Sequence, residues 1–595
     1  MENQNQRNLI LAVVLSALLL FGWDTGIRYF YPDAGKPKPT ATASASASAT
    51  PESAEAIKPT REGGLLNPAD IAQEARDIKT LLAAPNRIAI TAPGLTGSIN
   101  PVGGVIDDLV TVRHTATVDK DSGPQRIFSP AGTPAQHFAQ FGWVGEAGQV
   151  PGQQTLWSAP AGTKLTPDTP VTLTWTNPAG TTFTLTYKID ADYMITVDQG
   201  VSNAGTAPVS VQPVAQINRT KKTAAVDSFN VHAGPFGAFD EVVNYGIDYD
   251  DVAEAPKAQV ENEGSANWFG FTDVYWMSTL IPDTRAKASS DFRAIGNDIF
   301  LANMFYPAST VAPGQALTRT TKLFAGAKEM KVLDRYEAEG IANFGLAIDW
   351  GWFRWFERPL FMLLEALFRT VGNFGVAIIL LTVIVRGIMF PIAQKQFASM
   401  AAMRAIQPKM KAIQERYKDD RPKQQEEIMA LYKKEGVNPL AGCLPIFLQI
   451  PVFFALYKVL ILAVEMRHQP FALWIKDLSA PDPLHIFNLF GLLDFTVPAF
   501  LGIGVLAILL GITMWLQFKL NPAPMDPIQE QVFAIMPWLM MVIMAPFAAG
   551  LLIYWITSNI LTIAQQKYLY SKHPQLKEQA AKEAADAKRA RERKS

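Results

Sequence analysis

A single cysteine, Cys443, is all the thiol that this 595-residue chain contains. That excludes an intramolecular disulfide and any zinc or iron–sulfur centre built on several thiolates. The six histidines stand too far apart to give the i, i+4 pair of a helical metal site, so no metal is expected. No glycine-rich loop ends in Gly-Lys-Ser/Thr, and neither a G-x-S-x-G elbow nor an H-E-x-x-H pair occurs. Nucleotide-driven chemistry, a cofactor and a catalytic residue set are therefore not expected. Charge is scarce too, since 18% of residues are Asp, Glu, Lys or Arg, below the roughly 25% of ordinary globular domains. With 53 Lys and Arg against 54 Asp and Glu, the chain lacks the basic excess of a general nucleic-acid binder. What it has is apolar sequence: 49% hydrophobic residues and a mean hydropathy of +0.08. That composition fits a membrane protein with a water-soluble part.

The apolar runs are unevenly placed. Asn8 to Trp23 is uncharged and is followed by Tyr29, Phe30 and Tyr31. Residues 1–32 therefore read as a membrane anchor, with a cleaved signal peptide as the alternative. Residues 33–64, rich in Pro, Ala, Ser, Thr and Lys, cannot bury a core and read as a flexible tether. Over 65–340 the apolar period becomes two. Val171, Leu173 and Trp175 alternate with threonine, a Pro-Ala-Gly turn follows, and Phe183, Leu185, Tyr187 and Ile189 alternate again. This predicts a hairpin within a large all-β sandwich. Residues 341–358 bring Trp350, Trp352, Phe353, Trp355 and Phe356 together with Arg354, Glu357 and Arg358, as expected of a helix lying in the membrane interface.

Uncharged stretches then give the spans, since crossing a bilayer takes about 20 residues. The expected order is a second span at 359–392, a helical hairpin at 393–437 and a third span at 438–464. A loop at 465–494, a fourth span at 495–518 and a loop at 519–530 come next. The 36 uncharged residues Gln531–Gln566 are read as a fifth span (531–546) and a sixth (550–568), reversing near Pro546, ahead of a basic tail at 569–595. Ten Lys and Arg lie in Pro391–Leu440 and nine follow Ala564, whereas Glu465–Asp494 has only Arg467 and Lys476. Six spans with both termini in the cytoplasm satisfy the positive-inside rule and put the β domain across the membrane.

Arg386 interrupts the apolar run Ile378–Val385, and a cation there should face protein or a water-filled cavity. Snorkelling to the nearby membrane surface is the alternative. Neighbouring runs offer Gln449, Gln517, Thr557, Ser558 and Asn559, and no uncharged run holds an acid to pair with the cation. A cation among amides suits acidic or polar peptide passengers better than a proton relay. Lys458 reads as a snorkelling cation without a role, and Cys443 as a buried span cysteine. Met400, Met403, Ile406, Met410 and Ile413 recur at helical spacing, and the hairpin should break at Asp419–Pro422, with a kink at Pro408.

Four long strings are similar to the YidC membrane-protein insertase family: VIVRGIMFPI (383–392), EGVNPLAGCLPIFLQIPVFFALY (435–457), FALWIKDLSAPDP (471–483) and GLLIYWITSN (550–559). KLFAGAKEM (322–330) is the one stretch of the preceding domain that looks familiar. The resemblance implies an α-helical membrane protein with six transmembrane helices plus an all-β periplasmic supersandwich domain, resident in the inner membrane. It implies a hydrophilic groove open to cytoplasm and lipid, with Arg386 as the groove arginine, Gln449 in its polar lining, and Tyr554 and Trp555 as the substrate-contacting aromatic pair. Gln517 and Asn559 are added as polar residues of neighbouring runs. Trp555 and Lys458 depart from the residues more usual in the family. Partners implied are nascent membrane proteins, the Sec translocon, the lipid bilayer and, through Lys588, Arg589, Arg591, Arg593 and Lys594, the ribosome and signal-recognition targeting components. A solvated charge run is an equal reading of that tail. The competing classes are a transporter, disfavoured by the lack of an intramembrane acid or inverted repeat, and a tethered carbohydrate-active enzyme, for which no carboxylate pair is recognisable.

Overall fold

The computed structural model describes residues 62–226, 231–240, 242–418, 420–436, 444–490, 492–493, 502–520 and 527–572. The expected anchor at 1–32, the tether up to 61, Cys443 and the basic tail beyond 572 lie outside the described residues.

Period-two apolarity builds strands as expected. In Thr181–Ile189 the side chains of Phe183, Leu185, Tyr187 and Ile189 are buried, and Lys188 between them is exposed. The hairpin register pairs Val171 with Tyr187, Leu173 with Leu185 and Trp175 with Phe183. A helix α1, Pro68–Leu81, precedes the strands, and a short α2, Tyr249–Glu254, lies among them.

Ten strands form one antiparallel sheet. Its main path runs Ile88–Thr91, Leu95–Asn100, Val105–Thr115, His137–Val144, Val209–Thr220, Ile299–Phe305, Ser289–Ile295, Gln259–Glu261. Eight more form the second sheet, in the order Val242–Asn244, Gly234–Phe239, Ala266–Thr272, Trp276–Ile281, Ala316–Ala327, Met194–Asn203, Thr181–Ile189, Val171–Thr176. The sheets meet through aromatic side chains. Trp143 lies edge-on to Phe183 at 5.1 Å, and Phe269 to Phe292 at 5.9 Å. This is the expected sandwich.

The chain turns helical at α3, Met330–Ala338, and α4, Arg354–Val371. Helix α4 is amphipathic: Glu357, Leu360, Phe361 and Leu364 are buried at helical spacing, while Trp355 and Met362 are exposed. It extends past the expected limit at 358 and ends at Gly372, whose φ of +69° gives it the left-handed geometry of a helix stop. Residues 359–371 thus belong to the amphipathic helix. The apolar run starts at α5, Phe374–Arg416, where the Asn373 side chain accepts the Val376 N–H at 3.1 Å.

Helix α5 continues through Pro391 and Pro408, so span and first hairpin helix are one element. Asp420 caps α6, Arg421–Glu435, at the expected break. Then come α7 (Leu444–Leu462), α8 (Val505–Leu520), α9 (Pro527–Met544) and α10 (Ala549–Lys572). The reversal between α9 and α10 takes only residues 545–548.

Among the described residues one stretch, Phe374–Gln394, is long and apolar enough to cross a membrane. Gln449–Leu462, Val505–Lys519 and Gln531–Met544 are apolar but shorter. Of the five expected spans that reach into the described residues, one meets the length test. At 16 residues α8 is about 24 Å long, less than the roughly 30 Å of hydrocarbon. In α10 the apolar run is broken by Ser558, Asn559, Gln565 and Gln566.

The two parts meet at a polar seam. Arg467, just past α7, is buried and donates to the carbonyls of Thr115 (2.8 Å) and Ala116 (3.0 Å) and to Glu62 (3.0 Å). Its guanidinium also lies over Trp276, 5.3 Å from the ring centre. Glu465 accepts the Met330 N–H at 3.1 Å, at the first residue of α3. Burial pushes the Glu465 carboxyl up to about 7, against the pull of the N–H groups it accepts. Arg358 pairs with Asp334 at 2.6 Å, joining α4 to α3.

Candidate functional site

Helix α10 packs against α5, α7 and α8, and the polar side chains of the bundle meet on it. Arg386 lies about 18 Å along α5 from Phe374, well inside the apolar run. Its Nε donates to Ser558 Oγ at 2.9 Å, and one terminal nitrogen reaches the same oxygen. Among the described residues no carboxylate pairs with it. Ser558 is 1% exposed, so the cation is held by a buried hydroxyl.

One turn earlier on α10, Tyr554 is fully buried and accepts a hydrogen bond from Gln449 of α7. Trp555 packs against Phe453, one turn after Gln449, at 5.3 Å. A polar rung and an aromatic rung therefore join α7 to α10. Asn559 donates to Thr513 of α8 at 3.2 Å. Of the six residues proposed from sequence, Arg386, Gln449, Tyr554, Trp555 and Asn559 thus converge on successive turns of α10. Gln517 is half-buried one turn beyond Thr513 and has no hydrogen bond to the others.

The aromatic segment at the start of α4 divides. Trp352 lies in the turn Gly351–Phe353, Trp355 is 72% exposed, and Phe353 and Phe356 are half-buried. Lys588, Arg589, Arg591, Arg593 and Lys594 lie outside the described residues.

Two family models match the chain: "YidC periplasmic domain" over residues 87–363 and "60Kd inner membrane protein" over residues 366–577. A "Membrane protein insertase YidC" of Zymomonas mobilis is 43% identical over 96% of this chain and 96% of its own length. The chain belongs to the YidC membrane protein insertase family. A relative of the same description from Bradyrhizobium diazoefficiens is 41% identical over 95% of this chain and 96% of its own. A solved structure titled "Active YidC insertase crystal structure with the first transmembrane domain resolved" is 19% identical. It covers 82% of this chain and 96% of that one, with a TM-score of 0.34. The boundary between the two family models, 363 to 366, falls inside α4.

Several residues gain a place that sequence reasoning did not give them. Ser558 is one of five polar candidates in the neighbouring runs, and nothing in its spacing singles it out as the partner of Arg386. Thr513 carries no signal in the sequence, being a lone threonine in an apolar run. Lys458 donates to the Asp349 carbonyl at 2.8 Å and lies 3.8 Å from its carboxylate, so it is anchored to the segment before α4. Nearby, burial raises the Glu357 carboxyl to about 7, although Lys458 opposes the shift.

Proposed function

We propose that this protein inserts and helps fold inner-membrane proteins, alone or beside the Sec translocon and without nucleotide hydrolysis. One observation carries the reading of mechanism: Arg386, deep in an apolar helix, is held by the Ser558 hydroxyl instead of a carboxylate. A guanidinium already neutralised by an acid has little left to offer a passenger. One bound to a hydroxyl keeps its charge and free N–H donors for an incoming acidic or polar segment. The Gln449–Tyr554 and Asn559–Thr513 pairs add polar groups that can exchange partners.

In this reading the passenger's hydrophilic part rests in a wet groove beside α10, which lowers the cost of carrying polar backbone part-way through hydrocarbon. Release of its apolar part into lipid then drives insertion. Spans as short as α8 and α9 fit a locally thinned bilayer, shortening the crossing. The remaining parts of the proposal are six spans with both termini cytoplasmic, a periplasmic β domain and a tail that meets the ribosome.

The test is depletion in cells followed by complementation. Depletion should leave small membrane proteins uninserted, and normal insertion would overturn the reading. Arg386→Ala should slow clients with acidic translocated segments, and Arg386→Lys should largely restore them. Equal loss with both variants would assign the effect to guanidinium geometry and not to charge.

A further inference from the structure

Between α7 and α8 the described residues 484–490 and 492–493 present an apolar surface outside any helix. Residues 483–493 read PLHIFNLFGLL and contain no Asp, Glu, Lys or Arg. Ile486, Phe487, Leu489, Phe490, Leu492 and Leu493 are between 37% and 83% exposed. Single exposed leucines are ordinary on any protein. Six large apolar side chains within eight residues make a contiguous patch, which a water-facing loop does not carry without a purpose.

The backbone points the other way. Leu489 N donates to Ile486 O (3.0 Å), Phe490 N to His485 O (2.8 Å) and Leu493 N to Asn488 O (3.1 Å). Ile486 N and Val505 N cross-link the two flanks through Ile503 O and Leu484 O. Leu489 and Phe490 hold φ values of +50° and +61°, a region that bulky residues avoid, so the compact turn persists against strain. Pairing these amides lowers the cost of holding the turn at the lipid boundary, from which outward apolar side chains reach the acyl region.

The position of the segment is fixed as well. Asp482 accepts hydrogen bonds from Trp474 Nε1 (3.0 Å), Leu484 N (3.0 Å) and Leu506 N (2.8 Å), tying the base to the first turn of α8. This is the end of the bundle where Arg467 meets the β domain and α4 exposes Trp355 and Met362.

We propose that residues 484–490 and 492–493 form a lipid-facing cap whose side chains enter the acyl region of the leaflet on the β-domain side. The cap would anchor the adjoining ends of α7 and α8 in lipid. A bilayer is favoured over a polypeptide because both flanks lead into apolar helices, the patch carries no Asp, Glu, Lys or Arg to pair with a peptide, and the amides of Ile486, Leu489, Phe490 and Leu493 are already paired. The proposal rests on the helices crossing a bilayer and not on the insertion of clients.

The experiment uses the full chain with Cys443→Ser, Leu492→Cys and an environment-sensitive NBD label, in phosphatidylcholine–phosphatidylglycerol vesicles. Leu493→Cys serves as a second site, and the β-domain residue Leu156, 66% exposed, as Leu156→Cys gives the water-facing control. The cap labels should emit to the blue of the control. Lipids carrying a nitroxide on the acyl chain should quench them several-fold more, and iodide several-fold less. Control-like iodide quenching with no response to nitroxide lipids at both sites would overturn the proposal. So would protection that appears only at high protein-to-lipid ratio, which marks a second copy, or only with added client. None of these results bears on the depletion assay, so the insertion reading stands or falls separately.

Discussion

Replacing Arg467 by alanine tests whether the β domain and the helical bundle unfold as one unit. The side chain is 3% exposed, donates to two backbone carbonyls and to Glu62, and lies over the Trp276 ring. Glu62 is a third exposed and can return to water, so its loss counts for little. The carbonyls of Thr115 and Ala116 each lose a charged donor, at about 1.5–3 kcal/mol apiece. The lost cation–π contact adds about 0.5–2 kcal/mol. Water entering the vacated space returns part of this, leaving about 3–5 kcal/mol, as for other broken buried charge networks. Arg467→Lys keeps the charge but not the forked donor and should fall between. Thermal unfolding of the purified chain in detergent, with limited proteolysis near the seam, reads both variants. A loss of stability with earlier cleavage between the β domain and α4 is expected. An Arg467→Ala protein within about 0.5 kcal/mol of the parent would refute the reasoning, since that is what an inert surface change gives.

Glu465 predicts a pH dependence. Its folded-state carboxyl titrates at about 7 against 4.5 unfolded, so between those values the native protein holds the extra proton and stability falls as pH rises. Glu465→Gln keeps the acceptor for Met330 N–H. It should match the parent near pH 4 and exceed it by up to roughly 3 kcal/mol above about pH 8, read by denaturant unfolding. Gly326→Ala places a methyl carbon 2.4 Å from the buried Tyr193 ring and should cost about 1–3 kcal/mol by overpacking, read as a lowered melting temperature. Tyr554→Phe leaves the Gln449 amide without its hydroxyl partner. It should cost about 1 kcal/mol in stability while preserving the ring, so an insertion assay separates hydroxyl from aromatic contributions.

Much of the architecture is legible in one sequence because its signals are local. The Val171–Ile189 hairpin appears in register because a strand with one buried face must alternate. The break at Asp420–Pro422 and the reversal at 545–548 follow from capping and turn residues within a few positions. The 359–392 stretch divides at Gly372, a helix stop whose left-handed backbone geometry hydropathy does not encode. Pro408 reads as a kink in sequence but is carried, like Pro391, within a single 43-residue helix.

By itself, the sequence determined that Arg386 must avoid lipid, because an apolar run prices a lone cation by composition alone. Only tertiary structure decided what it meets. Ser558 lies 172 positions away, and Thr513, Gln449 and Phe453 reach α10 from two other helices. The seam at Arg467 and Glu465 is of the same kind, joining residues 352 and 135 positions apart along the chain. Periodicity fixes which face of an element is buried. Which partner waits on that face is set when the helices pack, and a sequence pattern a few residues long carries no record of it.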